Sequence, residues 1–182
     1  MQKKRIRLLA EMGVAVALAA VFNFITLFRM PQGGSVNLEM LPILVVSLRW
    51  GGIPGIITGL VYGLVQLALD PYVVHPLQFL LDYPLAYMMV GIAGFLPVRN
   101  MLDEGIKLYL RVLPGVLLAG FGRFLAHFLT GVVFFSEFAP EGQKVWVYSA
   151  IYNGTYILPS ILISYIIIIP ILRRLLKNEG FK

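Results

Sequence analysis

Apolar residues run in long blocks broken by short polar stretches, and the blocks set the elements. They cover residues 8–28, 38–50, 53–69, 77–97, 108–135 and 146–172. A membrane-crossing helix needs about 20 mostly apolar residues. The pattern therefore predicts an all-α, polytopic membrane protein with six transmembrane helices in a single domain, residues 1–182. Spans of that size leave only short loops. The second block is the shortest, since thirteen residues at ~1.5 Å each rise about 20 Å against a hydrocarbon core of ~30 Å.

Small residues and prolines mark packing and breaks inside the blocks. Gly51, Gly55, Gly59 and Gly63 repeat every four residues in the third span. Such overlapping GxxxG steps let another backbone approach closely, either inside the protein or on a partner. Gly13, Ala15, Ala17 and Ala19 give the first span small residues four apart. Pro84 and Pro159 interrupt the fourth and sixth spans. Each frees the carbonyl four residues earlier, of Leu80 and Thr155, which neighbouring groups must satisfy in a membrane.

Composition agrees with the pattern. The chain is 59% hydrophobic and 13% charged, against ~45–50% and ~25% for soluble domains. This excludes a cytosolic enzyme and a disordered chain. The net charge of +6 suggests nucleic acid until the basic residues are placed. Lys3, Lys4, Arg5, Arg7, Arg49, Arg99, Lys107, Arg111, Arg173, Arg174, Lys177 and Lys182 all fall on one side of a six-span chain. Arg29 and Lys144 fall on the other, and Arg123 lies within a span. The positive-inside rule then puts both termini in the cytoplasm and accounts for the charge, so no nucleic-acid partner is expected. The N-terminal run could be a secretory signal cut after Ala17-Leu18-Ala19. Glu11 interrupts it and the apolar sequence continues to Phe28, which favours an uncleaved span.

Several chemistries are missing. Without cysteine there is no thiolate, and two histidines without metal spacing predict no metal site. No P-loop and no GxSxG frame occur, so neither ATP binding nor an acyl-serine is expected. The prediction is of no catalytic residue and no cofactor.

Polar residues inside spans are costly and therefore informative. Arg123, His127, Gly131 and Phe135 form one stripe of the fifth span; Gln78 and Asp82 share a face of the fourth, with Tyr83 beside them. The sixth span opens with Trp146, Tyr148, Ser149, Tyr152, Asn153 and Tyr156. The outer loops add Gln32, Gly33, Gly34, Ser35, Asn37, Glu39, Tyr72, His75 and Glu137. Nearly all belong to the outer half, which predicts a cup open outward. Aromatic faces with a carboxylate suit a flat cationic ligand, each ring contributing ~0.5–2 kcal/mol of cation–π attraction. Blander roles exist for each group. Tyr72, Trp146 and Tyr148 fit an interfacial aromatic belt, His127 a hydrogen-bonded core position, and Asp82 an ion pair with Arg123.

Across essentially the whole chain the sequence resembles the substrate-binding subunits of energy-coupling-factor vitamin transporters, and among them the thiamine-specific ones. The matching segments are Pro31-Gln32-Gly33-Gly34-Ser35, Leu80-Leu81-Asp82-Tyr83-Pro84, Arg123 through Phe135, and Tyr148 through Thr155. The resemblance implies a multi-pass subunit of the bacterial plasma membrane that captures thiamine outside. It implies as partners a transmembrane coupling protein and two ATPase subunits, with toppling of the subunit delivering the vitamin inside. Asp82 matches the acidic position that contacts the aminopyrimidine, and Tyr83, Tyr72, His127, Gly131, Tyr148 and Asn153 match other pocket positions. Phe135 stands where some relatives carry tryptophan over the thiazolium, and a tryptophan of the first outer loop is absent. Ala15 and Ala19 resemble the AxxxA surface that docks the coupling protein, with Gly13 and Ala17 as the alternative register. Competing expectations are a subunit for another vitamin, a stand-alone proton-coupled carrier using Asp82, His127 and Arg123, and an intramembrane enzyme using His127 and Asp82.

Overall fold

The computed structural model describes residues 2–96 and 106–178. Of the basic residues named above, Arg99, Lys182 and the Lys177 side chain fall outside that description, as does the end of the fourth block at residue 97. Helices dominate: α1 (Gln2–Phe24), α2 (Met40–Trp50), α3 (Gly52–Leu69), α4 (Pro76–Leu80), α5 (Ala86–Gly91), α6 (Ile106–Phe134) and α7 (Val145–Asn178). Among the described residues five stretches are long and apolar enough to cross a membrane: Gln2–Phe24, Gly52–Leu69, Pro76–Phe95, Ile106–Phe134 and Val145–Leu175.

The remaining helix, α2, has only 11 residues, a rise of about 16 Å. It is nonetheless the centre of the bundle, with Met40 through Leu44 and Val46 through Arg49 buried against α1, α3, α5 and α7. Being shielded by the longer helices, it need not match the hydrocarbon thickness itself. Gly51, at φ 105°, turns the chain straight back into α3. Successive helices alternate in direction between two ends of the molecule. Asn23, Glu39, Asp70, Gln78, Phe135 and Tyr148, near the corresponding helix ends, all line one cavity.

The first block departs from its expected limits. Helix α1 stops at Phe24 rather than 28, and β1 (Phe28–Arg29) pairs antiparallel with β2 (Ser35–Val36). Gly33 and Gly34, at φ 86° and 85°, make the reversal between them, a backbone that side-chain-bearing residues rarely adopt. Glu11, the interruption in that block, is employed at the other end. Its Oε1 accepts from Arg7 at 2.9 Å, while Oε2 accepts from Trp50 Nε1 at 2.7 Å and Arg49 Nη1 at 3.1 Å. This ties α1 to the end of α2.

The glycine ladder of α3 is internal. A Cβ on Gly55 would come within 2.9 Å of the Gly91 carbonyl oxygen, one on Gly63 within 2.6 Å of the Tyr83 carbonyl oxygen, and one on Gly59 would run into the Tyr87 carbonyl. The ladder is thus where α3 seats the fourth span, whose bend is a π-helical turn, Leu81–Leu85, containing Pro84.

The expected coupling surface needs correction. Ala15 and Ala19 are buried, the latter completely, where α1 packs on α2 and α3. Gly13 and Ala17 face outward together with Val14, Leu18 and Val21. Small residues occur on both faces of this helix, and the inward pair is consumed by packing within the chain.

Candidate functional site

The structure gathers many of the outer polar residues around one cavity of about 290 Å³, though Asn37, His75, Glu137 and Trp146 are not in its lining. The volume is near the lower limit of the ~300–1,000 Å³ usual for small-molecule sites. Asp82, Tyr83, His127, Tyr148, Asn153, Tyr72, Gly131 and Phe135 all line it.

Asp82 sits in the π-helical turn forced around Pro84. π-turns are frequent at functional sites. Its Oδ2 accepts from Gln78 Nε2 at 2.7 Å, one turn earlier. Its Oδ1 lies 2.5 Å from Thr130 Oγ1 and 2.9 Å from His127 Nδ1, both on α6. Three groups thus fix the carboxylate's orientation. Gln78 is itself held, accepting from Val74 N–H at 3.1 Å and donating to the Tyr72 carbonyl at 3.0 Å.

Below lies a charged floor. Arg123 Nη2 donates to Glu39 Oε1 at 2.6 Å and to the Tyr87 hydroxyl at 3.1 Å, and its guanidinium lies 4.5 Å from the Tyr87 ring centroid. Tyr62 donates to Glu39 Oε2 at 2.9 Å. The blander alternative, an Asp82–Arg123 pair, is not formed, because Glu39, at the entrance to α2, takes the arginine. Arg123 reaches the Asp82 group only through His127, Nε to Nε2 at 3.5 Å.

Aromatic rings form the sides. Tyr72 stacks on Phe135 at 5.9 Å between centroids, and Tyr148 and Tyr152 stand 5.6 Å apart. Tyr83 is buried and accepts from Tyr72 N–H at 2.7 Å while donating to the Asp70 carbonyl at 3.1 Å, which anchors the loop after α3. Asn153 donates to the His127 carbonyl at 3.2 Å and accepts from Tyr156 at 2.8 Å. Gly131 lets α7 come close, since a Cβ there would meet Ser149 Oγ. Trp146 is 55% exposed and lies outside the lining, as an interfacial belt residue would.

The hairpin forms the roof. Tyr152 Oη accepts from Gln32 N–H and donates to the Gly33 carbonyl, both at 2.9 Å, and Arg29 pairs with Asp70 at 3.1 Å across the rim. Sequence reasoning singled out neither Thr130 nor Tyr62, Tyr87, Asn23 and Gln66. The available signal was a polar side chain in an apolar block, and for Thr130 its position one turn beyond His127.

Fold and site define a class: a helical, multi-pass membrane protein holding a carboxylate-and-aromatic ligand cavity at one end of its bundle. Residues 9–179 match the family described as "Thiamine transporter protein (Thia_YuaJ)", and the chain belongs to that family. It is 39% identical over 188 residues to the "Thiamine transporter ThiT" of Bacillus subtilis (strain 168), covering 98% of each chain. It is 30% identical over 177 residues to the protein of that name from Lacticaseibacillus paracasei, covering 92% of this chain and 87% of that one. The solved structure of ThiT from Listeria monocytogenes superposes with a TM-score of 0.80 at 28% identity, over 97% of this chain and 96% of that one. The S component of a bacterial ECF transporter shares the fold, with a TM-score of 0.61 at 21% identity over 99% of each chain. The relatives are transport proteins of bacterial membranes, and this chain is one too; the enzyme alternative falls away.

Proposed function

We propose that this protein is the thiamine-binding subunit of an energy-coupling-factor importer. It captures thiamine in the cavity at the outer face and delivers it inward together with a transmembrane coupling protein and two ATPase subunits. The observation that carries the proposal is the state of Asp82. The cavity's two arginines, Arg123 and Arg29, are paired with Glu39 and Asp70. Asp82 is left as an oriented carboxylate beside aromatic rings, the complement of a flat cation bearing an amino group.

The eight lining residues divide the work. Asp82 and His127 take the aminopyrimidine edge; Phe135, Tyr72 and Tyr148 offer ring faces to the cation. Tyr83, Asn153 and Gly131 shape and hold the walls. On this reading the short α2 is a sixth pass and both termini are cytoplasmic, a sidedness supported by the distribution of the basic residues. On α1, the exposed Gly13–Ala17 stripe is the surface offered to the coupling protein, since close helix approach needs small residues.

Uptake of labelled thiamine tests this assignment. Cells expressing this chain should accumulate thiamine only when the coupling protein and ATPases are present. Uptake that persists without the ATPases and collapses with an uncoupler would instead establish the proton-coupled carrier.

A further inference from the structure

Polar side chains buried around the cavity are bonded to the protein with one exception. Glu39, Gln78, Arg123, Thr130, Ser149 and Asn153 each have protein partners. Asn23, in the last turn of α1, is 3% exposed, lines the cavity, and makes no side-chain hydrogen bond among the described residues. A buried amide without a partner is disfavoured, more so within a membrane. Helix α1 packs on α2 and α3, whereas Asp82 is held by Gln78 of α4 and by Thr130 and His127 of α6. Asn23 thus reaches the cavity from a helix that supplies none of the groups holding Asp82. Gln66, near the end of α3, lines the same cavity and adds a second amide.

We propose that Asn23, together with Gln66, supplies an uncharged arm of the site that binds the hydroxyl end of the ligand. This rests on the thiamine assignment above. Thiamine carries an aminopyrimidine, a cationic thiazolium and a hydroxyethyl tail. The first two call for the carboxylate and the aromatic walls. A hydroxyl is both donor and acceptor, which is what a carboxamide complements. The cavity's arginines are paired with Glu39 and Asp70, and Asp82 is assigned to the aminopyrimidine, so the tail gains most at the buried lining side chain that has no hydrogen-bond partner among the described residues.

Calorimetric titration of thiamine, and of the analogue with an ethyl group replacing hydroxyethyl, into detergent-solubilised wild type and Asn23→Leu tests this. Asn23→Leu should lower thiamine affinity about three- to tenfold, the size of one neutral hydrogen bond, and leave the ethyl analogue's affinity within twofold. The ligand-free variant should melt no lower than wild type, because no protein hydrogen bond is removed. Gln66→Leu provides a second variant, with a smaller loss confined to thiamine. Equal losses for both ligands, or no loss for thiamine, would overturn this inference while leaving thiamine binding intact. A wild-type protein that binds neither ligand would overturn the thiamine assignment itself, and this inference with it.

Discussion

Arg123 and Glu39 form an ion pair 2.6 Å long at the floor of the cavity, both side chains almost wholly buried. The pair joins α6 to the start of α2 and leaves the Asp82 carboxylate without an arginine. One charge is spent on the fold and the other is kept for a ligand.

Breaking the pair from one side leaves a buried charge uncompensated, at a cost of about 3–5 kcal/mol. Arg123→Met alone should therefore lower the melting temperature in detergent sharply. The double variant Glu39→Leu with Arg123→Met should recover most of that loss, since replacing both partners by apolar groups is often nearly neutral. Losses that simply add would contradict a pairwise role.

Phe135 offers a smaller ring face than tryptophan where the lining meets Tyr72. Phe135→Trp should tighten thiamine binding by up to about tenfold, within the ~0.5–2 kcal/mol span of cation–π contacts. Phe135→Leu should weaken it by a comparable factor. Titration calorimetry gives both, and an unchanged constant for the pair would place the cation elsewhere.

Gly59 faces the Tyr87 carbonyl, a backbone atom that cannot rotate away. Alanine is ~1 kcal/mol better than glycine in a helix interior, yet overpacking costs about 1–3 kcal/mol. Gly59→Ala should therefore be net destabilising, read as a lower melting temperature. A higher one would mean that α3 can move away from the fourth span.

The two faces of α1 make opposite predictions. Ala17→Trp should bind thiamine normally and fail in uptake with the full complex. Ala15→Trp, aimed into the bundle, should lose folded protein, seen as aggregation on size-exclusion chromatography. Full uptake by Ala17→Trp would move the docking face off this stripe.

The sequence carried the spans and the position of the cavity because both depend on composition along the chain. A polar group in an apolar block has few places to go, so Asp82, His127 and Asn153 pointed to one another. Choices among neighbours were not legible. Arg123 had two carboxylates within plausible reach, and only the packing of α2 against α6 gives it Glu39. Small residues occupy both faces of α1, so periodicity could not say whether Ala15 or Ala17 faces in. Asn23 was overlooked as one amide in a long apolar run, although it is buried at the cavity. The hairpin was hidden too, since two residues per strand are too few for an alternating pattern.

The central claim is that Asp82 binds the ligand rather than supporting the fold, and one pair of titrations tests it. Asp82→Asn keeps the shape and removes the charge. Thiamine affinity should fall by about 2–4 kcal/mol, roughly 30- to 1,000-fold, from a charged hydrogen bond and an ionic contribution. The melting temperature of the ligand-free protein should change little by comparison. Affinity equal to wild type, in a variant that still folds, would contradict the account.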